Sequence, residues 1–247
     1  MDDISVRELR IFEIIKETVK LFRSAFWLCV PLCLLAFVPD NIIRLFIPQN
    51  VMNAELINDP YQLRFILIIG LVRLLFSCLV VGGYTYLAMS RYVGREVTLN
   101  SMVEFAINKW ISVTMTGVLY FIILGVMLYI SITALPIMVF PAIHLTVLFV
   151  FHRNIAAITG ERGFKAFAAS AGLVRGFFFK RMLYGAAFLF MYMFVMQVLG
   201  TIGIPSHGLA GLVMGVVFDI LGSVFLLAQA VWFVNILLAR KIIDITV

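Results

Sequence analysis

The sequence predicts an all-α, polytopic membrane protein: six transmembrane helices in three hairpins, each hairpin preceded by a cytoplasmic interfacial amphipathic helix. Three observations predict it. Of 247 residues, 63% are hydrophobic and only 13% charged, about half the charged fraction of an ordinary soluble domain. The mean hydropathy is +1.09, and a bundle of this size has too little interior to hide so much apolar surface from water. Six stretches can each cross a hydrocarbon core of roughly 30 Å, which takes about 20 helical residues.

The spans fall at 25–46, 65–89, 111–135, 136–158, 182–203 and 209–238, within a single integral membrane domain, 1–247. The third and fourth run together in composition. They are divided at Leu135-Pro136, because proline disfavours helix in the residue before it. The last is longer than a bilayer needs and is expected to tilt. Residues 1–24 precede the first span as an amphipathic helix, too charged for a cleavable secretory signal.

Orientation follows from the bases. Sixteen of the 19 Lys and Arg fall on one side, in the N-terminal segment, two connections and the C-terminal tail. The opposite side has the loop 47–62, which carries Glu55 and Asp59 and no base. The positive-inside rule then puts both termini in the cytoplasm. Trp27, Trp110 and Trp232 lie near the same ends, where amphipathic rings anchor at the interface. The formal net charge of +6 does not mark a nucleic-acid binder, since the bases flank apolar runs and form no continuous face.

Three cytoplasmic segments read as helices in the headgroup plane. The first, Val6–Phe22, sets Leu9, Phe12, Ile15, Val19 and Phe22 on one face, with charges largely opposite. In the second, Thr98 caps a helix carrying Met102, Phe105, Ala106 and Trp110. The third runs from Gly163 through Phe164, Phe167, Ala171 and Val174. Each ends in a base beside the membrane, Arg23, Lys109 or Arg175. Phe177, Phe178 and Phe179 before Lys180-Arg181 form a further interfacial anchor with a basic flank, and all five bases are candidate contacts for lipid headgroups.

The segment Gly163-x-x-Ala166-x-x-x-Ser170-x-x-Leu173-x-Arg175-Gly176, with Gly94-Arg95-x-Val97-Thr98 earlier in the chain, resembles the cytoplasmic element of a family of six-helix bacterial inner-membrane proteins. That family includes the YciC-type proteins and the membrane domain joined to some glycerophosphodiester phosphodiesterases. The stretch after Pro136 departs from it, lacking a Pro-Gly pair. The resemblance implies a bacterial inner-membrane protein of envelope homeostasis with no chemistry of its own.

Ionisable residues within spans are costly and mark either pairing or function. Arg73, Asp219, Asp40 and His144 each lie, at 1.5 Å per residue, roughly 9–15 Å below the outer boundary, a layer drawn from four helices. Asp219 extends a stripe of Gly208, Gly211, Gly215 and Gly222, and Arg73 shares a face with Gly70, Ser77 and Tyr84. Small residues at that spacing predict close helix contact. Three arrangements are open: an Arg73–Asp219 ion pair, a hydrated ion or proton path, or no contact, with Asp40 pairing to Arg44 one turn away. Catalytic motifs, a metal ligand set and cofactor motifs are absent, and Cys29, Cys33 and Cys78 lie in apolar runs. The expectation is a non-enzymatic protein that organises or senses lipid. Its partners would be membrane lipids, other membrane subunits or copies of itself; the alternative is a transporter or channel using the polar layer.

Overall fold

The computed structural model describes residues 8–34, 60–133, 137, 139–175, 178–201 and 208–240. Regular structure there is helical, with no strand among the described residues. The helices are α1 (Ile11–Ser24), α2 (26–34), α3 (Pro60–Val93), α4 (Leu99–Thr133), α5 (Val139–Leu148), α6 (His152–Thr159), α7 (Phe164–Val174), α8 (Phe178–Thr201) and α9 (Gly208–Ala239). Among the described residues, four helical stretches are long and apolar enough to cross a membrane: Gly70–Val93, Leu99–Met127, Phe140–Thr159 and Gly215–Ala239.

The centre of the molecule is α3, which packs along α4 and α9, with α6 wedged against α4 and α3. Two glycines permit the tightest approaches. A methyl on Gly82 would lie 3.1 Å from Ala106 Cα of α4, and one on Gly83 would collide with Leu32 of α2. Gly222 of the expected α9 stripe and Gly70 on the Arg73 face behave otherwise: a methyl on either would meet open space, so these two glycines are not where helices close on one another.

Local chemistry starts and stops the elements. Between α3 and α4 the chain turns at Gly94, φ +73°, a conformation costly for residues with a Cβ. Thr98 and Ser101 then cap α4 reciprocally, each backbone N–H donating to the other's hydroxyl at 3.1 and 3.2 Å. The cap is where the sequence places it, but the helix does not stop at Trp110. It continues to Thr133 over 35 residues, which corrects the separate second interfacial helix. With no glycine or proline from Thr98 to Thr116, nothing interrupts the backbone ladder. At about 1.5 Å per residue α4 is some 52 Å long, well beyond a bilayer core.

The fourth expected span corresponds to the stretch Phe140–Thr159, but it is not one continuous helix. Its split from the third, Leu135-Pro136, lies outside the described residues, between the end of α4 and the start of α5. The span itself breaks at residues 149–151, into α5 and α6. Ser170 of α7 stitches the break, accepting the Phe151 N–H at 3.2 Å and donating to the Leu148 carbonyl at 2.9 Å. The Gln229 side chain of α9 donates to the Val150 carbonyl. Backbone groups left without helical partners are thus satisfied by two other helices.

Helix α1 has two apolar faces. Ile14, Thr18, Leu21 and Ala25 are buried, with α1 lying along α9 and the Leu9 N–H donating to Asn235 Oδ1 at 2.8 Å. Two residues of the stripe read from the sequence face the other way, Phe12 at 79% and Val19 at 55% exposed, while Leu9 and Phe22 pack against the core; Trp27 of α2 is 81% exposed.

Candidate functional site

Two charged clusters sit in the packed interior. In the first, Arg73 of α3 donates from Nη2 to Asp219 Oδ1 of α9 at 2.9 Å. The carboxylate is 7% exposed and the guanidinium 43%, so the acid is held inside while the base reaches outward. Along α9 the polar surface continues through buried Ser223. The Tyr84 hydroxyl lies within hydrogen-bonding distance of Ser223 Oγ (3.1 Å) and of the Cys29 carbonyl (3.2 Å), and Ser223 donates to the Ile220 carbonyl. Cys33 is also within hydrogen-bonding reach of Ser223. A polar seam therefore joins α2, α3 and α9. Asp40 lies outside the described residues. His144 is exposed on α5 and faces the Phe178 ring of α8, centroids 4.6 Å apart; the structure sets it beside an aromatic ring, where the sequence reading had grouped it with the ion pair.

The second cluster centres on Glu8, just before α1. Its two carboxylate oxygens accept from Lys180 Nζ and Arg181 Nη2, both at 2.8 Å, and Arg240 Nε lies 3.7 Å away. Arg181 is buried, its side chain 1% exposed, with the guanidinium 5.5 Å from the Trp232 ring and 5.9 Å from that of Phe151. Burial opposes ionisation of Glu8. The hydrogen bond from Lys180 and the charges of Arg181, Lys180 and Arg240 outweigh it and hold the carboxyl below its ordinary 4.5. Burial pulls Arg181 below the usual guanidinium range, with Glu8 partly offsetting. The cluster fastens the segment before α1, the start of α8 and the end of α9 together.

This overturns two assignments. Arg181 was a candidate headgroup contact, and a side chain this deeply buried among rings cannot present its charge to lipid. Trp232 was an interfacial anchor, yet it is 4% exposed and packs on Phe151 and Tyr184 at 5.0 and 5.5 Å. A base and a tryptophan beside an apolar run suit either an interface or a cation–π core; only the fold distinguishes the two. Of the remaining bases, Arg23 and Arg175 are exposed and Lys109 is half-buried. Lys180 is bound to Glu8 and lies over the Tyr184 ring.

Several buried polar groups had no clear signal in the sequence. His152 lies against Tyr120, centroids 4.5 Å apart, and its Nδ1 approaches the Phe149 carbonyl. Asn154 donates to Thr85 Oγ1 at 2.9 Å. Ser170, quoted above only as part of a resemblance, is the residue that holds the break. A lone hydroxyl on an otherwise apolar helix face was the available hint.

The fold and these clusters define an all-α protein with helices able to cross a membrane and with ion pairs packed between them. Among the described residues no group of His, Cys, Asp and Glu could hold a metal ion. Comparison with protein-family models, with curated proteins and with solved structures found no match.

Proposed function

We propose that the chain is a non-enzymatic, six-span protein of a bacterial inner membrane, both termini cytoplasmic, that organises or senses lipid. The observation that carries this reading is α1. One face is buried along α9, while Phe12 and Val19, followed by Trp27, turn outward beside Arg10, Lys16, Lys20 and Arg23. An exposed apolar stripe bordered by bases is matched by the boundary between acyl chains and anionic headgroups. The concentration of bases on one side supports the topology, and the likeness around Gly163–Gly176 supports the envelope setting. Enrichment of one lipid class around the full-length protein in mixed-lipid nanodiscs, measured by mass spectrometry, tests the reading; a shell identical to bulk lipid would sink it. For topology, an introduced cysteine at position 53 should label from outside intact cells and one at Gly160 should not.

The seam from Arg73–Asp219 to Tyr84 favours a second reading, passage of protons or small ions along α3 and α9. Flux into sealed proteoliposomes, abolished by Asp219→Asn, would support it.

A further inference from the structure

Beside the loop joining α6 to α7 lies a cavity of about 680 Å³, lined by Met115 and Leu119 of α4 and by residues Thr159–Lys165. We infer that it binds one anionic phospholipid, with the phosphate at the loop and the acyl chains along α4; this rests on the lipid reading above and names its ligand class.

The loop is shaped by two residues in the left-handed region, Gly160 at φ +74° and Gly163 at φ +56°, which fold it back over α4. Its polar fittings are specific. Arg162 donates from Nε to Ser112 Oγ at 3.3 Å, and buried Ser112 donates in turn to the Gly160 carbonyl at 3.0 Å. The guanidinium is therefore anchored at one edge, with its Nη donors left to meet a phosphate. Lys165 lines the same cavity, and Lys109 Nζ lies 3.5 Å from where a Gly160 Cβ would stand. Glu161 is the carboxylate of the lining, against two lining cations, Arg162 and Lys165, so the lining has a net positive charge that a ligand with net negative charge balances. Helix α7 starts here with no side-chain cap, which leaves its first N–H groups directed to the same end.

The other wall is apolar and open. Met115 of α4 is 54% exposed and Phe164 70%. A soluble phosphate would leave these side chains in water. A phospholipid covers them with acyl chain while its headgroup meets the bases, and the wall is continuous with the candidate span Leu99–Met127. The volume suits a headgroup, glycerol and the first methylenes.

The test uses the full-length protein in bilayers, with spin-labelled phosphatidylglycerol, phosphatidylethanolamine and phosphatidylcholine as probes of relative association. Wild type should hold phosphatidylglycerol about 10- to 30-fold more tightly than phosphatidylcholine. Arg162→Gln with Lys165→Gln should erase that preference, while Arg91→Gln with Arg95→Gln, exposed bases at the turn from α3 to α4, leaves it intact. Both altered pairs lie on exposed positions, and an unchanged unfolding midpoint confirms that the fold is preserved. Phosphatidylethanolamine at parity with phosphatidylglycerol, or displacement by millimolar inorganic phosphate, would overturn the ligand class. A phosphatidylglycerol preference that survives the Arg162/Lys165 change overturns this site and leaves the broader lipid reading standing; no preference for any lipid removes both.

Discussion

Replacing Glu8 with alanine strands a cation inside the protein. The Arg181 side chain is 1% exposed, and its Nε already lacks a hydrogen-bond partner. Without the carboxylate 2.8 Å away, it retains only the faces of Trp232 and Phe151 at 5.5 and 5.9 Å. Such contacts contribute about 2 kcal/mol when desolvated, less than the several kcal/mol needed to keep an ion out of water. Glu8→Ala should therefore cost about 3–5 kcal/mol, the range for breaking a buried pair from one side. Arg181→Met removes the buried charge, leaves Glu8 with Lys180 and Arg240, and puts a polarisable side chain among the rings; its cost should be about 1–2 kcal/mol. The double variant should be more stable than Glu8→Ala alone, because no orphan charge remains. Equilibrium unfolding in mild detergent, with amide exchange at the start of α8, measures all three. The order has a pH signature. The folded Glu8 carboxyl titrates below its ordinary 4.5, so its contribution is full above that pH and fades as pH falls through the lower folded value. The gap between wild type and Glu8→Ala should narrow on acidification. Strictly additive losses, or a Glu8→Ala cost no larger than that of Lys16→Ala on the exposed face of α1, would refute the reasoning.

The Arg73–Asp219 pair should behave similarly in direction: Arg73→Ala lowers stability, and adding Asp219→Ala recovers part of the loss, read by the same unfolding measurement. Gly82→Leu should destabilise by about 1–3 kcal/mol through overpacking against Ala106, whereas Gly222→Ala should be neutral or stabilising by up to about 1 kcal/mol; matched thermal melts separate them. Ser170→Ala should cost about 1–3 kcal/mol by leaving the Phe151 N–H without its partner, with faster amide exchange confined to residues 149–152. Equal exchange there would mean that the Gln229 contact alone holds the break.

Helical class and the presence of long apolar helices were legible in the residues, because they depend on local or summed properties. Apolar run length sets what can cross a bilayer, and the Thr98 cap uses side chains three positions apart. Arg73 and Asp219 could be matched because both charges had to escape lipid and lay at similar depth. Tertiary contact decided the rest. Residues 149–151 carry no glycine or proline, and the helix breaks there because Ser170 and Gln229 offer its backbone other partners. The charged face of α1 concealed a second apolar face, since Ile14 and Leu21 fit α9 as well as lipid. Arg181 and Trp232 looked interfacial because composition cannot tell a headgroup from a buried carboxylate. The difference is Glu8, 173 residues away in the chain, and only the folding of α1, α8 and α9 together brings it within 2.8 Å.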